Sequence, residues 1–196
     1  MVKMMRMLGI GLLSALLWVG TGAAEIYQID KSHSSVGFSI RHLVSRTSGN
    51  FTEFSGTITY DPAHPEQTAA EATIQTTSIN TDNERRDNHL RGPDFFDIEK
   101  YPTITFKSTS AKKEGDKIML TGDFTMHGVT KSITLPIEVL GTGTHPRSQT
   151  PMAGFTTELT LHAPDYGVTS WANYVNVLGE DVKVSITLEA IVPKAE

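Results

Sequence analysis

SVGFSIRHLV, residues 35–44, is the stretch that decides the fold class. Val36, Phe38, Ile40, His42 and Val44 share one side of an extended chain, and Ser35, Gly37, Ser39 and Arg41 share the other. Successive side chains of a strand point to opposite faces, so the stretch reads as a strand with one face in water and one in an apolar interior.

The same period of two recurs along most of the chain. Phe54, Ile58 and Tyr60 alternate with Ser55, Thr57 and Thr59, and Ala70, Ala72, Ile74 and Thr76 make a strand of smaller residues. Ile104 and Phe106 precede Ser108 and Ser110 on one face, and Ile118, Leu120 and Phe124 follow. After a turn at Met126-His127-Gly128 come Ile133, Leu135, Ile137 and Val139, then Phe155, Leu159 and Leu161, then Val182, Val184, Ile186, Leu188 and Ala190. With a short lead strand around Ile26–Ile29, eight or nine strands are expected. Glu114-Gly115-Asp116 reads as a hairpin turn, and Gly141–Pro151 as a loop rich in Gly, Thr and Pro. Short strands joined in this way predict an all-β antiparallel fold, barrel or sandwich.

The first residues read as an address. Lys3 and Arg6 precede an apolar run, Leu8–Val19, and small residues Gly22, Ala23 and Ala24. A run of about a dozen residues is short for a membrane span of ~20, so residues 1–24 are expected to be a cleaved signal peptide, leaving one domain, residues 25–196. Losing Lys3 and Arg6 takes the net charge from −5 to −7, and no basic block remains, which argues against a nucleic-acid partner. The chain has no Cys, which excludes thiolate metal sites and Cys nucleophiles. Outward-facing Thr, Ser, Lys and Glu argue against a barrel inserted in a membrane.

Asn80–Arg91 breaks the alternation. Thr81 and Glu84 have capping-box spacing, which predicts a short helix over about 82–91, ended by Gly92-Pro93, with Asp87 and Arg91 placed to pair. Leu90 is its one large apolar residue, so the helix is expected to lie across an opening or along the surface, tied by charge, with Phe95, Phe96 and Ile98 plugging or lining what it covers.

An eight-stranded barrel is just wide enough for its own side chains or for one small ligand. Ala70, Ala72, Thr76, Ser108, Ser110 and Gly122 are small for a sealed core, so the expected interior is a long, dry, apolar space suited to a chain. A sandwich with an ordinary packed core fits the same alternation, and periodicity leaves both open.

Several blocks resemble one family. They are Tyr27-Gln-Ile-Asp30 with His33-Ser34, Phe38–Val44 followed by Gly49 and Phe51, and Arg86-Asp-Asn-His-Leu-Arg91. Asp94-Phe-Phe-Asp97, Tyr101–Ser108, Gly122–Lys131, Asp165-Tyr-Gly167 and Asp181-Val182 continue the series. From about Tyr27 to Ala190 the chain resembles the YceI-like family, also called polyisoprenoid-binding periplasmic proteins. The resemblance implies a lipocalin-like antiparallel barrel around an elongated apolar tunnel, a periplasmic location, an isoprenoid-tailed or other long-chain ligand of polyprenyl or quinone type, and often a homodimer. Tyr27 stands where Trp is common in the family, and Trp171–Gly179 is a long insert expected to edge the mouth.

The residues expected to wall the tunnel are Phe38, Ile40, Phe54, Ile58, Ala72 and Ile74 on the first strands. Phe95, Phe96, Phe106, Leu120 and Phe124 follow, with Leu135, Leu159, Val184 and Ile186 on the last strands. His42 reads either as a core histidine or as a polar contact to a ligand head group. Arg85, Arg86, His89 and Arg91 read either as a solvated helix paired to Asp87 and Asp94, or as a cluster that neutralises a pyrophosphate or bonds a quinone carbonyl. The His spacings match no metal motif, Ser34 and Ser108 lack a nucleophile elbow, and no cofactor is expected. The competing activity is an enzyme on a lipid-like substrate with His42 or His89 as base.

Overall fold

The computed structural model describes residues 24–168 and 177–194. Most of the expected signal peptide and the start of the Trp171–Gly179 insert lie outside the described residues. The strands are β1 (Glu25–Ile29), β2 (Ser35–His42), β3 (Ser45–Phe51), β4 (Phe54–Tyr60), β5 (Ala69–Gln75) and β6 (Ile79–Asn80). One helix, α1 (Glu84–Arg91), precedes β7 (Thr103–Glu114), β8 (Lys117–Met126), β9 (Val129–Thr144), β10 (Pro151–His162) and β11 (Leu178–Ile191).

All strands pair antiparallel in one sheet, in the order β1-β4-β5-β7-β8-β9-β10-β11-β2-β3-β6. The sheet closes because β1 pairs with β4 along one edge and with the end of β11 along the other, making a barrel of eight strands. β2, β3 and β6 continue the wall beyond three breaks: a 3-10 turn at Lys31–His33, the step at Thr52 and Glu53, and a 3-10 turn at Thr76–Ser78. Eight long strands thus appear as eleven, and Thr76, expected within a strand, begins a 3-10 turn instead.

Register puts apolar partners opposite each other on the inner face. Phe38 meets Val184, Ile40 meets Val182, Ile74 meets Ile104 and Leu120 meets Leu135. Such cross-strand pairs are the unit of sheet stabilisation. The outer face carries the polar set: Thr121 and Thr134 share a hydrogen bond of 2.9 Å, and Thr125 and Thr130 one of 2.8 Å. Among the described residues no helix is long and apolar enough to cross a membrane.

Four local expectations are corrected. Strand β2 ends at His42, because Leu43 adopts φ 50° and turns the chain, so Val44 stands fully in solvent instead of on the inner face. A bulge between Ser108 and Ser110 flips the end of β7, so Ser110 is exposed and Ala111 packs inward, while the Ser108 Oγ accepts the Ala70 N–H at 2.9 Å. Gly122 leaves no gap: a Cβ there would come 2.6 Å from the Phe106 ring, which occupies the space. Strand β9 runs on to Thr144 through the expected Gly141–Pro151 loop.

Helix α1 also starts differently. Asn83, and not Thr81, is the N-cap, its side chain accepting the Arg86 N–H at 3.0 Å. Thr81 is drawn away by buried Asp87, whose carboxylate accepts both the Thr81 N–H and its hydroxyl. Asp87 therefore does not pair with Arg91, which donates to the carbonyls of Thr77 and Ile79 at 2.8 Å. The polar helix is tied to the wall by these bonds, and the chain after it packs Phe95 beneath.

Candidate functional site

The barrel encloses a cavity of about 430 Å³. From Phe155 on β10 to Ala163, just past the end of that strand, its lining runs roughly 26 Å along the chain at ~3.3 Å per residue. With strands tilted by ~40°, that is roughly 20 Å along the barrel axis. A cavity of ~150 Å³ holds benzene, so on the same scale this one takes on the order of 17 carbons.

Both ends are built from aromatic side chains. At the end where β1 pairs with the end of β11, Tyr27, Ile58, Tyr60, Ile118 and Phe155 form a buried cluster, with Tyr60 and Phe155 edge to face at 5.4 Å. Burial pushes the Tyr27 and Tyr60 hydroxyls above the ordinary tyrosine pKa. At the other end, under α1, Ile40, Phe95, Ala163 and Val168 pack with Leu90, Phe96 and Leu178. Between them Phe38, Phe51 and Phe96 make a chain of rings at 5.7 Å and 6.0 Å. Gly49 allows this packing: a Cβ there would come 2.5 Å from the Phe38 ring.

All fifteen residues named from the sequence as tunnel wall line the cavity, whereas Ile98, expected beside Phe95 and Phe96, is absent from its lining. Others line it that were not named as wall, among them Val36, Ile133, Phe155, Leu161, Val182 and Leu188. These lie on the same alternating faces, so the signal that marks their neighbours marks them as well. Phe51 and Ile79 also line it, but they sit on β3 and β6, whose sequences carry no alternation.

The polar expectations separate. His42, Arg86 and His89 reach the cavity, joined by Thr47 and Thr81, whereas Arg85 and Arg91 are absent from its lining. Arg86 donates from Nε to the Thr81 Oγ1 and from Nη2 to the Thr81 carbonyl, both at 2.7 Å. The His89 Nε2 faces the Asp94 Oδ2 at 3.5 Å, and its ring stands edge-on to Phe95 at 4.9 Å. Glu71, at the lining's edge, is exposed and faces Lys107 at 3.4 Å.

Outside the cavity, Asp30, His33 and Glu189 bring their ligand atoms within 4.8 Å of one another, a convergence that spacing did not show. An ion pair accounts for it: His33 Nδ1 lies 2.7 Å from the Asp30 carboxylate, which raises the imidazole pKa and lowers that of Asp30. His64 with Asp61 repeats the arrangement at 2.8 Å, and His162 with Asp181 at 3.0 Å. His127, at the β8–β9 turn, packs its ring 4.3 Å from Tyr101 and is not part of the lining.

A closed antiparallel barrel that keeps a long apolar space, where a core would fill it, belongs to the class of ligand-holding barrels. Comparison with known proteins makes this particular: the chain belongs to the YceI-like family, whose YceI-like domain profile matches residues 27–190. Protein YceI of Salmonella arizonae is 37% identical over 192 residues, covering 96% of this chain and 98% of that protein, and that of Salmonella newport matches equally. The crystal structure of Burkholderia cenocepacia BcnA superposes with a TM-score of 0.76 at 25% identity, covering 83% of this chain and 99% of BcnA. The Campylobacter jejuni YceI protein gives 0.70 at 34% identity, covering 84% and 96%. A polyisoprenoid binding domain from Saccharophagus degradans, at 20% identity and TM-score 0.66 over 85% of this chain and 98% of that domain, shares the fold.

Proposed function

We propose that the mature chain holds one long-chain lipid, of the isoprenoid type, inside the barrel and performs no chemistry on it, storing or carrying it in the periplasm once the N-terminal leader has been removed. The observation that carries this reading is the cavity itself: roughly 20 Å long, lined by Phe, Ile, Leu and Val, and with room on the order of 17 carbons. At ~0.8 kcal/mol per buried methylene, filling it contributes about 14 kcal/mol gross, enough to offset an association cost of ~4–15 kcal/mol. Polar contacts are then needed only at the rim. The shared fold of a domain described as polyisoprenoid binding supports the same ligand class.

The test is to purify the mature chain from the periplasm, extract it with organic solvent and weigh what is released. The expected result is a long-chain apolar molecule in near-equimolar amount. An extract without lipid, from protein that also fails to take up added polyprenol, overturns the proposal.

A further inference from the structure

We infer that the tip of the β2–β3 hairpin docks the barrel onto an anionic phospholipid bilayer, with the cavity mouth at the α1 end turned towards the membrane. The docking goes beyond the proposed function; only its use, passing cargo between bilayer and barrel, rests on that reading.

The turn carries the inference. The last pair of the hairpin is His42 with Ser45, so Leu43 and Val44 form its loop. Hairpin loops of this length favour Asn-Gly or Asp-Gly, because their backbone needs positive φ. Here Leu43 adopts φ 50°, and both loop side chains are apolar. Leu43 is about half exposed and Val44 wholly so, and the fold gains little from either. The other large exposed apolar side chains among the described residues, Ile26 and Leu140, stand singly, which is ordinary on a protein surface.

Charge names the occupant. Arg41 and Arg46 are both exposed and lie directly opposite each other across the hairpin, an arrangement that like charges disfavour. Residues 35–52 contain no acid, in a chain that is acidic as a whole. Arg46 donates to the Ser39 hydroxyl and carbonyl, which hold the guanidinium without cancelling its charge. Arg41 donates to the Leu43 carbonyl at 3.2 Å, at the foot of the tip. The acids that start α1, Asp82 and Glu84, are set back. That segment begins beside Gly49, where a Cβ would meet Thr81 and the Asn80 carbonyl. From Gly49 to Val44 the strand rises roughly 16 Å, or ~12 Å along the barrel axis, which exceeds a Debye length of ~8 Å. On β11, Glu180 and Asp181 face His162.

Two apolar side chains offer far less than the ~800 Å² per partner that a specific protein interface buries. A convex apolar tip instead enters the fluid head-group region, with its arginines reaching the phosphates. His42, the residue before the loop, lines the cavity, so a seated tip brings the mouth to the bilayer.

The experiment floats the mature chain with vesicles of phosphatidylcholine alone or mixed equally with phosphatidylglycerol, at low and at high salt. Each basic residue near an anionic surface favours binding by about fivefold, so the mixed vesicles are expected to bind at least ~10-fold more tightly, and high salt to erase the difference. Leu43→Asn with Val44→Gly installs the favoured turn, so this variant keeps or raises the parental Tm while its binding to mixed vesicles falls at least ~10-fold. Arg46→Gln lowers that binding about fivefold. No preference for the mixed vesicles, or unchanged binding by the folded turn variant, overturns the inference. So does a dimer in solution that the turn variant dissolves, which assigns the tip to a second copy. Organic extraction of the same parent protein separates this inference from the proposed function. Extracted lipid without vesicle binding removes the docking alone, and vesicle binding by a barrel that neither carries nor takes up lipid removes the lipid-holding function alone.

Discussion

Ala72→Trp should empty the barrel without unfolding it. Ala72 lies on β5 opposite Phe106 and lines the cavity. An indole has nine heavy atoms, and on the scale at which benzene occupies ~150 Å³ it fills roughly 225 Å³, about half of the space. The room left holds on the order of eight carbons, so the gross burial on binding falls by about 7 kcal/mol, to a level the cost of association cancels. The ring enters space that is already apolar, so overpacking costs the fold only ~1–3 kcal/mol. Ser110→Trp is the matched control, because the bulge at Ser108 and Ser110 turns that position into solvent. Both variants and the parent chain are purified alike, checked for β structure and a cooperative melt by circular dichroism, and extracted for mass spectrometry. Ala72→Trp should release no lipid, and Ser110→Trp should release the parental amount. A folded Ala72→Trp protein with parental lipid content would refute this placement of the ligand.

Two further outcomes follow from the ties that hold the loops and the helix. Asp87→Ala strands the Thr81 N–H and hydroxyl together with the anchor of α1; losing such a buried hydrogen-bonded group costs ~1–3 kcal/mol, which lowers Tm by roughly 2–12 °C in a thermal melt, and a shift under 1 °C would contradict that anchoring role. His64→Ala should destabilise in a pH-dependent way. The hydrogen bond to Asp61 raises the His64 pKa above 6.5, so its contribution is complete below 6.5 and is lost as pH climbs through the raised value. The bond to His64 lowers the Asp61 pKa below 3.8, so that contribution is present above 3.8 and is lost as pH falls through the lowered value. The Tm gap between parent and variant is therefore greatest between about pH 4 and 6.5 and narrows by about pH 8; a gap constant from pH 5 to 8 would refute the pairing.

What could be read from residues alone was whatever depends on a period of two. Val36, Phe38 and Ile40, or Val184, Ile186 and Leu188, announce an inner face because every second side chain is apolar, whereas closure of the wall does not follow from the alternation, which a sandwich shares. Where the backbone departs from that period, the reading slipped. Leu43 at φ 50° takes Val44 out of the inner face, and one extra residue at the Ser108–Ser110 bulge exchanges inside for outside. Gly122 looked like open space because a glycine says nothing of the ring that covers it. The head-group cluster was the least legible part. Adjacent arginines on a helix point about 100° apart, and which of them faces the cavity is decided by Thr81 and Asp87, whose contact replaces the expected cap and the expected Asp87–Arg91 pair.

Native mass spectrometry of the intact mature chain, sprayed from a detergent-free periplasmic preparation, tests the lipid-holding claim most directly. The expected spectrum shows the polypeptide carrying a single long-chain adduct that is lost on denaturation and regained when a polyprenol or quinone is supplied to the refolded chain. A folded barrel that flies only at its bare polypeptide mass, before and after such addition, would contradict the account.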